Sequence, residues 1–231
     1  MLIAEIGQNH NGEIALAKEL IHAAKESGAD VAKFQLFDAR KLFPKEGNQW
    51  FDYNCSTELS FNSTLELSDL CKKIGIEFMA SAFDIERVGW LEEIGVSKYK
   101  LASRSIADNT LINSIISTKK KIIVSLGYWN KPELPNFFPK DRTEFLFCVS
   151  KYPTEYTDLN FSEIDFKMYA GFSDHTVGTT APLVAMSRGA RIIEKHFTLD
   201  KNHYGPDHKG SMTPVELKML SEYWKDIKEC L

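Results

Sequence analysis

The spacing of apolar residues along the chain keeps switching between two periods. Short runs rich in Val, Ile, Leu, Phe and Ala alternate with longer segments in which apolar residues recur every three to four positions, as strands separated by amphipathic helices do. Eight runs read as strands: Leu2 to Ile6, Val31 to Leu36, Glu77 to Ala82, Lys98 to Ala102, Lys121 to Ser125, Glu144 to Val149, Tyr169 to Ser173 and Arg191 to Lys195.

Between them lie the helical segments. The first, Glu13 to Ser27, sets Ile14, Ala17, Leu20, Ile21 and Ala24 on one face and meets Gly28 as a stop. Leu67, Leu70, Cys71 and Ile74 repeat at the same spacing and end at Gly75. Asp84 precedes Val88, Leu91 and Ile94, and Asp108 precedes Leu111, Ile112 and Ile115. Each stands where a carboxylate can accept an otherwise unpaired N–H of the first turn. Thr213-Pro214-Val215-Glu216 is a capping box with Pro at the first helical position, followed by Leu217, Leu220, Trp224 and Ile227 on one face.

Strand followed by crossover, repeated to the end of the chain, gives a parallel α/β sheet. Such a sheet stays open or closes on itself, and a count of eight favours closure into a (β/α)8 barrel of the TIM type. Two crossovers lack the residues for a helix. Gly127 to Asp141 contains Pro132, Pro135 and Pro139, and Leu159 to Lys167 is barely two turns long. The expectation is one domain over residues 1–231, with helices short or missing after the fifth and sixth strands and apolar barrel surface left there for a partner subunit.

Charge and composition narrow the function. Lys plus Arg is 28 and Asp plus Glu is 32, a formal net charge of −4, so nothing in the overall charge favours nucleic acid or an anionic membrane surface. No apolar run reaches the about 18 residues of a membrane span, and Met1-Leu2-Ile3-Ala4 enters a strand without a signal-like leader. Cys55, Cys71, Cys148 and Cys230 have no metal-finger spacing. A cytoplasmic protein with reduced thiols is expected.

In a barrel, chemistry gathers where strands end, and polar residues collect there: Glu5 with Asn9 to Gly12, Lys33 with Gln35, Ser81, Lys100 with Ser103, Ser125, Ser150 with Tyr152, Ser173 to His175, and Glu194 to His196. Lys33 and Lys100 stand in strands whose alternate residues are buried, and buried lysines are rarely unpaired. With the hydroxyls they make an anion pocket, unless each is simply paired with a core carboxylate. His175 and His196 follow consecutive strands. Two imidazoles with Asp174, Glu194 or Asp207 nearby suit a divalent metal, although a loop histidine with no such role is an equal alternative on spacing alone.

Seven segments carry a more specific signal: AEIGQNHNG (Ala4 to Gly12), GADVAKFQ (Gly28 to Gln35), YKLAS (Tyr99 to Ser103), YPT (Tyr152 to Thr154), GFSDHT (Gly171 to Thr176), IEKHFTLD (Ile193 to Asp200) and GPDHKGSMTP (Gly205 to Pro214). In this order they resemble the N-acetylneuraminate (sialic acid) synthase family. The resemblance implies a (β/α)8 barrel that condenses phosphoenolpyruvate with an open-chain amino sugar such as N-acetylmannosamine and releases phosphate. It implies that Lys33, Ser81, Lys100, Ser103, Ser125 and Ser173 hold phosphoenolpyruvate and that His175 and His196 ligate Mn2+ or Mg2+. It further implies that Glu5, Asn48, Tyr152 and Asp207 face the sugar, that Glu194 holds a metal-bound water, and that Glu5 or Asp207 handles protons.

The chain also departs from the family pattern. Ala80-Ser81-Ala82-Phe83, Arg104, Leu126 and Phe147 replace the usual residues, and the expectation is a short form without the C-terminal antifreeze-like domain that supplies an arginine to the sugar site of relatives. Arg104 is a replacement for that charge or a plug in the pocket. Two functions therefore stand side by side: a synthase of a sialic acid-like nonulosonic acid, acting as a homo-oligomer or with a separate antifreeze-like protein, and a catalytically silent barrel that binds a sugar or a protein.

Overall fold

The computed structural model describes residues 1–230. Eight parallel strands close into a barrel in sequence order: β1 (Leu2–Gly7), β2 (Val31–Leu36), β3 (Glu77–Ala82), β4 (Lys98–Leu101), β5 (Lys121–Ser125), β6 (Thr143–Cys148), β7 (Gly171–Asp174) and β8 (Ile192–His196). Around it lie α1 (Ile14–Glu26), α2 (Ala39–Leu42), α3 (Phe51–Ser56), α4 (Phe61–Ile74), α5 (Ile85–Ile94), α6 (Asn109–Ser117), α7 (Thr180–Ser187) and α8 (Pro214–Cys230). The (β/α)8 expectation and the strand count both hold.

The period of two along each strand builds the interior in layers. Ile3, Val31, Met79, Ile123, Leu146 and Ile192 form a buried apolar plug inside the barrel, packed with Ala170. Two residues further along the same strands come Glu5, Lys33, Ser81, Ser125, Cys148 and Glu194, all buried. The sequence thus changes from apolar to polar within one pleat, and the change sets the floor of a cavity at the carboxyl end of the barrel. The outward positions pack on the helices, where Ala17, Leu20 and Ile21 of α1 and Leu217, Leu220 and Trp224 of α8 are buried.

The caps form as their chemistry requires. Asp84 accepts from the Arg87 N–H at 2.9 Å and Asp108 from the Leu111 N–H at 2.9 Å. The Thr213 N–H donates to Glu216 Oε2 at 2.8 Å while the Glu216 N–H donates back to Thr213 Oγ1 at 3.4 Å.

No α-helix lies between β5 and β6, and only two single 3₁₀ turns, Tyr156–Asp158 and Phe161–Glu163, lie between β6 and β7. The barrel wall is not bare there, however. The long loops lay their own aromatic rings on it: Phe138 meets Phe145 at 5.8 Å and Phe161 meets Phe172 at 5.1 Å between centroids. Strand β7 begins two residues later than the apolar run suggests, because the Met168 and Tyr169 N–H groups are held in a turn by the Asp165 carbonyl. Among the described residues no helix is long and apolar enough to cross a membrane.

Candidate active site

The carboxyl ends of the strands surround a cavity of about 780 Å3. Its floor is a network of opposite charges. Lys33 Nζ lies 2.7 Å from Glu5 Oε2 and 3.6 Å from Glu194 Oε2, and it donates to Ser81 Oγ at 3.2 Å. Lys100 Nζ lies 3.3 Å from Glu194 Oε1 and donates to Ser125 Oγ at 2.8 Å. Ser173 Oγ donates to Glu194 Oε1 at 2.9 Å, and Gln35 Nε2 donates to Glu5 Oε1 at 2.8 Å. Glu194 therefore bridges the two lysines, and both readings of the lysines are realised at once: they converge on one cavity, and each has a carboxylate partner.

Burial acts differently on the members of this network. It lowers the Lys100 pKa, because Glu194 offsets only part of the desolvation and Lys33 adds repulsion. Burial works the same way on Lys33 but is outweighed by Glu194 and Glu5, so its pKa rises. Burial would raise the Glu194 pKa, but Lys100 and Lys33 overcome it and hold the carboxyl down at about 2. The two ammonium groups thus face different proton affinities within one hydrogen-bonded cluster.

Facing this floor stand the two histidines, their ring centroids 6.0 Å apart. His175 Nδ1 lies 2.9 Å from the Val149 carbonyl oxygen, so Nδ1 carries the proton and Nε2 keeps its lone pair. Burial lowers the His175 pKa and keeps the ring neutral. His196 Nδ1 is buried without a hydrogen-bond partner and lies 4.0 Å from Asp207 Oδ2. Among the described residues no three His, Cys, Asp or Glu side chains form a ready-made cage. Two imidazoles with a carboxylate beside them nevertheless fit a divalent cation whose other ligands come from substrate and solvent. Asp174 and Glu194, also considered as ligands, are committed to lysines: Asp174 Oδ2 pairs with Lys195 Nζ at 2.6 Å.

The walls bring Tyr152, Asp207, Ser103 and Arg104 to the same cavity. The Tyr152 ring lies on the His175 ring at 4.1 Å between centroids. Arg104 is exposed at the rim and lays its guanidinium over the Phe43 ring at 5.1 Å. It therefore stands at the rim of the cavity without filling it. Asn48 does not line the cavity; its Oδ1 accepts the Trp50 N–H at 3.0 Å, and the Trp50 ring stands at the wall instead.

Phe43, Trp50, Phe83 and Tyr128 also line the cavity, and sequence reasoning missed them because loop aromatics have no period to reveal their direction. It places Lys195 only among the strand-end residues from Glu194 to His196, although a lysine inside a buried strand is the signal that singles out Lys33 and Lys100. Cys148 stands between Ser103, Ser173 and His175, with its thiol pKa pushed up by burial. The segment Gln8 to Gly12 is mostly scaffold: Asn9 Nδ2 donates to the Phe197 carbonyl and to Ser211 Oγ, both at 2.9 Å, and ties the loop after β1 to the one after β8.

A family model described as the NeuB family matches residues 20–231. The N,N'-diacetyllegionaminic acid synthase of Legionella pneumophila is 37% identical over 100% of this chain and 72% of its own length. The enzyme of the same name from Campylobacter jejuni is 36% identical over 100% of the chain and 77% of its own. Among solved structures, the N-acetylneuraminic acid synthetase of Leptospira borgpetersenii, crystallised with citrate, superposes with a TM-score of 0.88 at 30% identity, covering 99% of this chain and 84% of that one.

Proposed function

Since the chain belongs to the NeuB family, we propose that it condenses phosphoenolpyruvate with an open-chain amino sugar to give a sialic acid-like 3-deoxy-2-keto acid, releasing phosphate. One observation carries the reading: two buried lysines and the hydroxyls of Ser81, Ser125 and Ser173 meet at the floor of a cavity whose opposite side holds two imidazoles and Asp207.

Phosphoenolpyruvate brings a phosphate and a carboxylate, and the floor offers a matching set of donors. Lys33 and Lys100, with the hydroxyls of Ser81, Ser103, Ser125 and Ser173, bind the two anionic groups and hold charge as phosphate leaves. Because Glu5 and Glu194 already fix both ammonium groups in place, little reorganisation accompanies substrate entry. Tyr152 and Arg104 bound the sugar's end of the cavity, and the acceptor passes between the aromatic walls of Trp50 and Tyr128.

His175 and His196, with Asp207 beside them, would hold a divalent cation, Mn2+ or Mg2+. When bound, such an ion supplies Lewis acidity at the acceptor's carbonyl oxygen. The chain's own groups then handle the rest. C3 of the enol phosphate attacks the acceptor carbonyl carbon, water adds at C2, and the resulting tetrahedral carbon expels phosphate. Asp207 and Glu5 are the carboxylates placed to accept or return protons on the sugar hydroxyls, and Glu194 Oε2 orients the incoming water.

The test is phosphate release from phosphoenolpyruvate with manganese and a panel of amino sugar aldehydes. Release that depends on both the metal and one class of acceptor is expected. No release with any acceptor, from protein shown to be folded, would favour the barrel that only binds.

A further inference from the structure

The outward faces of β7 and β8 pack under the helices and are apolar at Phe172 and Ile193, both buried. Two register positions further along, on the same face, that pattern breaks. Asp174 and Lys195 are paired in register across the two strands, and both are almost completely buried, at 1% relative exposure each. Lys195 Nζ lies 2.6 Å from Asp174 Oδ2 and also donates to the Thr176 carbonyl. Asp174 Oδ1 accepts the Thr176 N–H at 2.8 Å, and its Oδ2 accepts the Thr176 hydroxyl at 3.2 Å.

A buried ion pair rarely improves stability over an apolar pair of equal size, so its presence in an apolar layer asks for another account. Its geometry supplies one. The pair ties Asp174, the residue before His175, to Thr176, the residue after it, and Lys195 lies between Glu194 and His196 in the chain. Neither charged group hydrogen-bonds the imidazoles themselves. They hold the backbone at Thr176 by its N–H and its carbonyl, contacts that an apolar pair would not offer.

We propose that Lys195, through its ion pair with Asp174, is a positioning residue that fixes His175 against His196 and so sets the spacing of the two imidazoles. The proposal rests on the reading of those histidines as cation ligands given above, and it assigns the pair no contact with substrate or metal.

The experiment compares the parent protein with Lys195→Gln, Asp174→Asn and the double variant. It uses manganese alone as the titrant in calorimetry, the imidazole resonances of His175 in the metal-free protein, and the melting temperature. Gln is too short to span Asp174 and the Thr176 carbonyl together, whereas Asn keeps the shape of Asp. In Lys195→Gln the manganese dissociation constant is expected to rise about tenfold or more, as for other groups that orient a ligand from behind, and the His175 resonances to shift. The double variant removes the unpaired buried charge, so it is expected to regain melting temperature while its manganese affinity stays weak. Should Lys195→Gln fail to fold, Asp174→Asn and the double variant carry the same comparison.

A folded variant with parental manganese affinity and unmoved His175 resonances would overturn the proposal. Failure of all three variants to fold would overturn it as well, by assigning the pair to stability alone. If the parent binds no manganese, the cation reading fails, and the metal-free resonances still decide whether Lys195 positions His175.

Discussion

Lys33 is the residue whose removal separates the two things the cavity floor does. It pairs with Glu5 at 2.7 Å inside the barrel, so its loss leaves a carboxylate buried without its counter-charge. Lys33→Met is expected to destabilise the fold by about 3 to 5 kcal/mol, the usual result of breaking a buried pair from one side. It should also weaken phosphoenolpyruvate binding by about 2 to 4 kcal/mol. Adding Glu5→Gln should return most of the stability and none of the affinity. Urea unfolding read beside a phosphoenolpyruvate titration checks both, and a double variant that recovers neither would mean that Glu5 is not the partner that matters. This residue was legible in the sequence because a lysine in a strand with buried alternate positions has few places to go. Its carboxylate partners were legible as strand-end residues, but their assignment to particular lysines was not. Pairing depends on which strands become neighbours and on side-chain reach, and neither is written in a period of two. Asn48 shows the opposite case: in an irregular loop nothing local tells whether a carboxamide faces a cavity or, as here, caps the turn that aims Trp50.

The elements around the barrel show where periodicity stops informing. The helices with one apolar stripe were readable, whereas α7 was not, since Ala181, Pro182, Leu183, Val184, Ala185 and Met186 are apolar in succession and have no polar face to set a period. The proline-rich crossover after β5 was readable as non-helical, yet its use was hidden. It opens with Gly127, whose N–H donates to Ser103 Oγ at 2.9 Å. A Cβ at Gly127 would lie 2.2 Å from Ser150 Oγ, 3.0 Å from Cys148 Sγ and 3.1 Å from Ser103 Oγ. Glycine is needed here for close approach, and the loop uses it to bring a backbone donor to the cavity floor. Gly127→Ala must push Ser150 and Ser103 aside. The expected outcome is an overpacking cost of about 1 to 3 kcal/mol in thermal or urea unfolding, together with a weaker affinity for phosphoenolpyruvate that exceeds any change for the acceptor. Equal losses for both substrates would instead point to a general disturbance of the barrel.

For the molecule as a whole, the segments that tie the loop after β1 to the loop after β8 are held by neutral histidines, and this makes stability depend on pH in two separate windows. His10 is buried against Phe34, accepts the Gly12 N–H on Nδ1 at 3.1 Å, and has its pKa lowered by burial to about 4. His208 lies between Thr198 Oγ1 at 2.7 Å and Asn11 Oδ1 at 3.0 Å, and burial, with His203 adding repulsion, lowers it to about 4 as well. An unfolded chain protonates both near the ordinary value of 6.5. Between these limits the unfolded state binds more protons than the folded one, so stability is complete above about pH 6.5 and falls as the pH drops toward 4. The slope is at most about 1.4 kcal/mol per pH unit for each histidine. Glu194 behaves differently: its folded pKa of about 2 lies below the ordinary 4.5, so its contribution is intact above about pH 4.5 and is lost only as the pH falls through the folded value. Urea unfolding from pH 7.5 to 3 is therefore expected to show a loss beginning near pH 6.5, before any carboxylate titrates. His10→Gln and His208→Gln together should make the curve shallower between pH 6.5 and 4, with buried His175 contributing part of what remains, whereas Glu194→Gln should change it only below that window. A double histidine variant that keeps the full slope above pH 4.5 would remove these two side chains as its source.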